Sequence, residues 1–256
     1  MSDLTRSLIW LPKTDEEKDR VWKVLMASLL VIAAFSMRDF RWNVVWDAWP
    51  LLLKGLGLSW ALALLSVTLG SLVAVPLAVA RVYGPRGISH AAVALIEIVR
   101  ATPELMVVFW VFFMYPILIG GNLSAWTAAV VALTLIAAAY LAEVVRGGLY
   151  SVSREQTEAG RATGLSAVQT FHYIVLPQAL RNMLPAFIAQ FVMLFKTTSL
   201  VYVIGVIEFF RTIILVNNAE FAPYALYVTM AVGYFVCCYA ISWLVRRIDP
   251  KYQLTE

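Results

Sequence analysis

Residues 105–142 contain no Asp, Glu, Lys or Arg, an unbroken stretch of 38. The hydrocarbon core of a bilayer, about 30 Å thick, is crossed by about 20 apolar residues in a helix. The run is therefore too long for one crossing and long enough for two. Tyr115-Pro116 and Gly120-Gly121-Asn122 punctuate its middle, and this predicts two helices joined by a short turn.

Other runs repeat the pattern. Residues 55–80 are uncharged, with Pro76 near the end; residues 182–207 carry one charge, Lys196; residues 221–245 carry none. Val21 to Met37 is a 17-residue run with Lys23 near its start. Together these predict six spans near 21–37, 50–80, 88–115, 123–145, 182–207 and 222–245. A signal peptide is the other reading of the first run, but no small-residue cleavage site follows its apolar core, so a retained helix is expected. The composition agrees: 61% hydrophobic and 14% charged residues, against roughly 45–50% and 25% in soluble domains. Such a chain is neither an ordinary soluble enzyme nor disordered. The fold class is all-α integral membrane, and the lipid bilayer is its first partner.

The net charge of +4 is too small to point to nucleic acid, and how the charges are distributed says more. With the N-terminus inside, 14 Lys and Arg residues fall in cytoplasmic segments, and only Arg38, Arg41 and Arg211 fall outside. Both termini, residues 1–20 and 248–256, are then expected in the cytoplasm. Cys237 and Cys238 are adjacent within an apolar run, and His90 and His172 are isolated. No metal site or catalytic group is expected from them. Trp42, Trp46, Trp49, Trp243 and Tyr252 lie at span ends, where they serve as interfacial anchors.

One connection is long and polar. From Arg146 to Arg181 it reads as two short helices. Ser153 with Gln156 and Ser166 with Gln169 fit capping boxes. Gly164 suits a left-handed position that ends the first helix, and Pro177 is expected to stop the second and open the next. A rigid helix–turn–helix fits a protein-docking element; an amphipathic helix lying on the headgroups is the other reading.

Few charges lie within spans. Counting residues places Arg100 and Lys196 near mid-bilayer, where an unpaired charge costs at least about 2.5–3.5 kcal/mol and faces the bundle interior. Glu97 at i−3 and Glu104 at i+4 share a helix face with Arg100, and Pro103 between them removes a helix hydrogen bond. Glu97, Arg100, Glu104 and Lys196, with the hydroxyls of Thr198 and Ser199, are candidates for lining a passage for a zwitterion. A buried ion pair fixing helix register is the alternative for Glu97 and Arg100.

Glu158-Ala159-Gly160, three residues, Gly164, nine residues, then Ile174-Val175-Leu176-Pro177 resembles the E-A-A, three, G, nine, I-x-L-P motif of the integral membrane subunits of bacterial ABC importers. Gly160 stands where that motif has its second alanine. Residues 138–148, Arg100 to Pro103, Leu176 to Arg181 and Phe195 to Leu200 are similar to the polar amino acid permeases of that class. Thr197 departs from the aspartate many of them carry. The resemblance covers about residues 50–247 and implies a five-helix type I importer core, with the helix at 21–37 as an addition. It implies that the loop 147–181 holds a coupling helix, in which Glu158, Ala159, Gly160, Gly164, Ile174, Leu176 and Pro177 dock on an ATPase. It further implies a second permease chain, identical or different, an extracytoplasmic amino acid binding protein, and residence in the bacterial inner membrane. The substrates implied are polar amino acids, with a lean to glutamate, aspartate or glutamine. The chain has no G-x-x-x-x-G-K-[ST] phosphate loop, so ATP and Mg are expected on the partner and no cofactor on this chain. A self-sufficient secondary transporter would call for inverted repeats, and a membrane enzyme for a nucleophile–base pair; the sequence offers neither.

Overall fold

The structure, a computed structural model, describes residues 19–24, 26–28 and 38–248, and every regular element among them is helical. The span expected over 21–37 lies largely outside the described residues. From residue 38 onward the chain forms α1 (Trp42–Asp47), α2 (Trp49–Tyr83), α3 (Arg86–Ala101), α4 (Glu104–Leu118) and α5 (Ala125–Tyr150). α6 (Arg154–Ala162), α7 (Ala167–Ile204), α8 (Phe209–Glu220) and α9 (Pro223–Ile248) follow. Among the described residues, α2, α5, α7 and α9 are long and apolar enough to cross a membrane. The end of the bundle carrying residues 151–166 is called the loop end here, and the opposite one the far end.

The span expected over 88–115 is not one helix. Pro103 has no N–H to donate and biases the preceding residue away from helix, and Thr102 is extended at φ −91°, ψ 136°. The chain breaks there into α3 and α4. The turn expected within the 38-residue run is present: Gly120 and Gly121 have φ of +83° and +80°, a region open to glycine at little cost. The Ser124 side chain then caps α5 by accepting from Thr127 N at 3.1 Å.

Two prolines behave differently from expectation. Tyr115-Pro116 does not interrupt α4, and Pro177 does not stop a helix but lies inside α7. Each follows a wide π turn, Trp110–Met114 and Phe171–Val175. The i→i+5 pattern removes the demand for a donor at the proline and relieves the ring's clash with the preceding turn. The helix that carries the fifth expected span therefore begins at Ala167, and α5 runs on to Tyr150. Residues 151–166 link the two helices, within the 147–181 connection read from sequence.

α2 extends about 52 Å at 1.5 Å per residue and is the spine of the bundle. Gly55, Ser59, Ala63, Ser66, Gly70, Ala74 and Ala78 form its buried small-residue stripe. The stripe lets backbones approach: a Cβ on Gly70 would sit 2.6 Å from Ala137 Cβ of α5. Close packing of this kind drives helix association where lipid removes the hydrophobic incentive. The main core joins α2, α5 and α7 through Leu62, Leu133, Ile136, Leu141, Leu194 and Val201. A second core at the far end gathers α1, the start of α2, α8 and α9 around Val44, Leu52, Phe209, Ile213 and Leu226.

Candidate functional site

At the loop end, Glu143 of α5 is ringed by guanidiniums. Arg81 of α2 donates to its Oε1; Arg146 Nε reaches its Oε2 at 2.9 Å; Arg100 of α3 lies 3.9 Å from Oε1. Arg100 also pairs with Glu97 at 3.3 Å and stacks over Tyr140, 5.7 Å from the ring centroid. Arg81 is two residues from the end of α2, so the guanidinium of Arg100 is drawn back from its own helix position toward the loop end. Helical side chains lean toward their own N-terminus, and that of α3 lies at this end: Ser89 donates to Arg81 O at 2.8 Å. Arg100 Nε remains buried without a hydrogen-bond partner.

The other candidates for the passage separate. The break at Thr102-Pro103 removes the i,i+4 relation, so Glu104 does not pair with Arg100. It accepts instead from Thr197 Oγ1 of α7 at 2.8 Å. Lys196 is exposed and forms no ion pair among the described residues. Thr198 is fully buried and donates to Phe195 O at 2.8 Å. Ser199 donates to Lys196 O at 2.8 Å. Helical hydroxyls commonly bond back to the preceding turn in this way. Of the six candidates, Glu97 with Arg100 is the one pair joined side chain to side chain among the described residues.

The polar connection is built as expected, with one exception. Gly164 sits at φ +84°, Leu165 N donates to Gly160 O at 3.2 Å, and Gly164 N donates to Arg161 O at 3.0 Å. This pair of hydrogen bonds is the Schellman stop. Ser166 and Gln169 form a complete capping box, with Gln169 N to Ser166 Oγ at 3.3 Å and Ser166 N to Gln169 Oε1 at 2.9 Å. Ser153 makes no side-chain cap; its carbonyl takes Gln156 N at 3.2 Å.

The motif divides between two faces. Glu158, Ala159, Gly164 and Pro177 are exposed, whereas Gly160 is buried and Ile174 and Leu176 are half-buried. A Cβ on Gly160 would lie 2.6 Å from Ile174 Cδ1 and 2.9 Å from Thr170 Cγ2. Glycine here lets α6 press directly on the first turns of α7. Val168, Tyr173 and Tyr150 are exposed apolar side chains at the same end, at 77%, 66% and 65%, too many together for a surface that faces only water.

One polar site was not anticipated. Glu208, fully buried, precedes α8 and accepts from Arg211 N at 2.8 Å, Phe210 N at 2.9 Å, Ser59 Oγ at 3.1 Å and Tyr234 Oη at 3.3 Å. Ser59 Oγ in turn accepts from Phe209 N at 3.1 Å. The knot joins α2, α8 and α9. Glu208 stands directly before α8 as its N-cap, but its side-chain partners Ser59 and Tyr234 are 149 and 26 residues away. Glu143 could have been found by its i,i+3 spacing to Arg146 and its place as the single acid between 125 and 150.

The profile of the family described as "Binding-protein-dependent transport system inner membrane component" matches residues 66–254. The Glutamine transport system permease protein GlnP of Escherichia coli (strain K12) is 32% identical over 217 residues, which cover 84% of this chain and 99% of that protein. The Glutamate/aspartate import permease protein GltK of Escherichia coli O6:H1 is 32% identical over 222 residues, with the same two coverages of 84% and 99%. A solved chain described as an amino acid ABC transporter with histidines superposes with a TM-score of 0.77 at 30% identity. That match covers 83% of this chain and 98% of the solved one.

Proposed function

From the premise that this chain belongs to the family of binding-protein-dependent transport system inner membrane components, we propose that it is the permease that passes polar amino acids through the membrane. It is an ABC importer subunit and a multi-pass membrane protein. The observation that carries the substrate class is the likeness to the solved amino acid ABC transporter, at 30% identity over almost all of that chain. The glutamine and glutamate/aspartate permeases among its relatives support glutamine, glutamate or aspartate as the cargo. A separate binding protein delivers it, a second permease chain completes the passage, and ATP is hydrolysed on partner subunits.

The loop end supplies the mechanical part of this reading. α6 is held by a left-handed stop on one side, and α7 by a capping box on the other. A displacement of α6 by an ATPase then reaches α7 through the Gly160 contact with Ile174 and Thr170, without an intervening flexible segment. Packed interfaces of this kind switch between discrete arrangements. Glu158, Ala159 and Gly164 form the outward face that meets the ATPase, and Ile174, Leu176 and Pro177 carry the motion into the span. Along the passage Arg100 and Glu97, now joined by Glu143, form the loop-end station. Glu104, Lys196 and Ser199 lie further along α4 and α7. Thr198 acts by holding its turn of helix.

Reconstitution in proteoliposomes with its ATPase and binding protein tests this. Uptake of labelled L-glutamine or L-glutamate should require ATP on the ATPase side and binding protein on the other. Uptake driven by an ion gradient with neither present would replace this reading with a secondary transporter.

A further inference from the structure

Glu104 is half-buried and has neither the cations that engage Glu97 and Glu143 nor the full set of donors that encloses Glu208. Glu97 and Glu143 are engaged by arginines, and Glu208 is enclosed by four donors. Among the described residues Glu104 has one partner, the Thr197 hydroxyl at 2.8 Å on Oε2. An ionised carboxylate accepts at about four positions, so most of its capacity is open. Thr197 is buried, its hydroxyl also lies 3.2 Å from Met193 O, and it therefore holds the carboxylate from a fixed point. The site is inside the bundle: Phe195, two residues before Thr197, packs on Trp60 with centroids 4.9 Å apart. Trp60 is 11 residues into α2 from Trp49, about 16 Å of helix. A carboxylate within a membrane bundle that has neither a counter-ion nor a full set of donors is a candidate functional site. The backbone break just before it is of the kind tolerated in a membrane only where it is buried in protein or lines a cavity.

We propose that Glu104 receives the α-ammonium of the amino acid in transit, and that Thr197 is a positioning residue that aims it. This rests on the reading of the chain as an amino acid permease. An ammonium brings three donors and one positive charge, matching the open acceptors and the missing cation. Arg100, four residues earlier, is turned to Glu143 and does not compete for Glu104. Because every α-amino acid carries the group, the station is indifferent to the substrate's side chain and leaves that choice to the binding protein.

The test is equilibrium binding to the complete importer in nanodiscs, without binding protein, using L-glutamine and 4-carbamoylbutanoate, the same molecule lacking the α-ammonium. Losing a charge-assisted hydrogen bond corresponds to about a tenfold to a hundredfold change, and the wild type should prefer L-glutamine by that factor. Glu104→Gln still accepts from Thr197, so it keeps the structural bond yet should bring the ratio close to one. Thr197→Val should give an intermediate ratio. The same wild-type ratio in Glu104→Gln, or no binding of L-glutamine by the wild type, overturns the proposal. ATP-driven uptake that persists in either case leaves the permease reading standing, whereas absence of uptake for every amino acid removes that reading itself.

Discussion

Glu143 and Glu208 are both acids within a helical membrane bundle, and their surroundings differ in kind. Glu143 is held by full charges on long side chains, Arg81, Arg100 and Arg146, toward the loop end where each of them is partly exposed. Glu208 is held by dipoles, two backbone N–H groups and two hydroxyls, in a fully enclosed position. Guanidiniums can exchange partners and hydrate when one bond is lost. The backbone donors of α8 cannot move without moving the helix. The loop end is thus the part able to rearrange during transport, and the knot around Glu208 is an anchor that keeps α2, α8 and α9 as one body.

The largest effect should come from Glu208→Ala. It strands Ser59, Tyr234 and two N–H groups and removes the N-cap of α8, and each stranded buried group costs about 1–3 kcal/mol. A loss on the order of 3 kcal/mol or more is expected, read as a lower melting temperature of the purified protein in detergent. An unshifted melting curve would mean that the knot is not an anchor and would erase the contrast with Glu143.

Next is Gly164→Val, at the loop end. A left-handed backbone costs an L residue about 1–2 kcal/mol, and a β-branched one more, so the α6 stop should loosen while the spans stay intact. Substrate-stimulated ATP hydrolysis should uncouple from uptake with little change in melting temperature. Normal uptake at a normal ratio to ATP hydrolysed would show that the turn does not transmit motion.

How much of this was legible beforehand follows the range of the forces involved. Elements set by neighbours in sequence were readable: the Gly120-Gly121 turn, the Gly164 stop and the Ser166–Gln169 box are all closed within a few residues. The family motif was readable for the same reason. Features set by partners far along the chain were not. The Glu208 knot, the meeting of Glu104 with Thr197 across 93 residues, and the turning of Arg100 toward Glu143 depend on helix placement, which spacing alone does not encode. The prolines failed for a third reason. A π turn can absorb what a proline removes, and no local signal announced one before Pro116 or Pro177.

A smaller effect, and a different signature, is expected from Glu143→Gln. The arginines left behind are partly exposed, so the cost should be about 1 kcal/mol, nearer a surface pair than a buried one. It should also shrink with salt, since the screening length falls from about 10 Å at 0.1 M to about 3 Å at 1 M. Melting in the two salt concentrations checks this: the Glu143→Gln shift should close at 1 M, while the Glu208→Ala shift should not. Equal salt dependence would mean that the two acids are satisfied by the same physics after all.

The finest division lies between the two serines of the loop end. Both fitted a capping box by sequence, and the backbone of each is poised for one, at ψ 150° for Ser153 and 162° for Ser166. Only Ser166 uses its hydroxyl. Ser166→Ala should therefore remove a cap, typically about 1 kcal/mol, and expose the start of α7 to fraying where α6 presses on it. Ser153→Ala deletes no hydrogen bond the side chain makes, and α6 keeps its first turn through the Ser153 carbonyl. Amide hydrogen exchange at Gln169 and at Gln156 reads the two separately. Faster exchange at Gln169 in Ser166→Ala, with Gln156 unmoved in Ser153→Ala, places the stiff joint of the loop end on the α7 side of Gly164. Equal acceleration at both would return the joint to α6, and the path of motion with it.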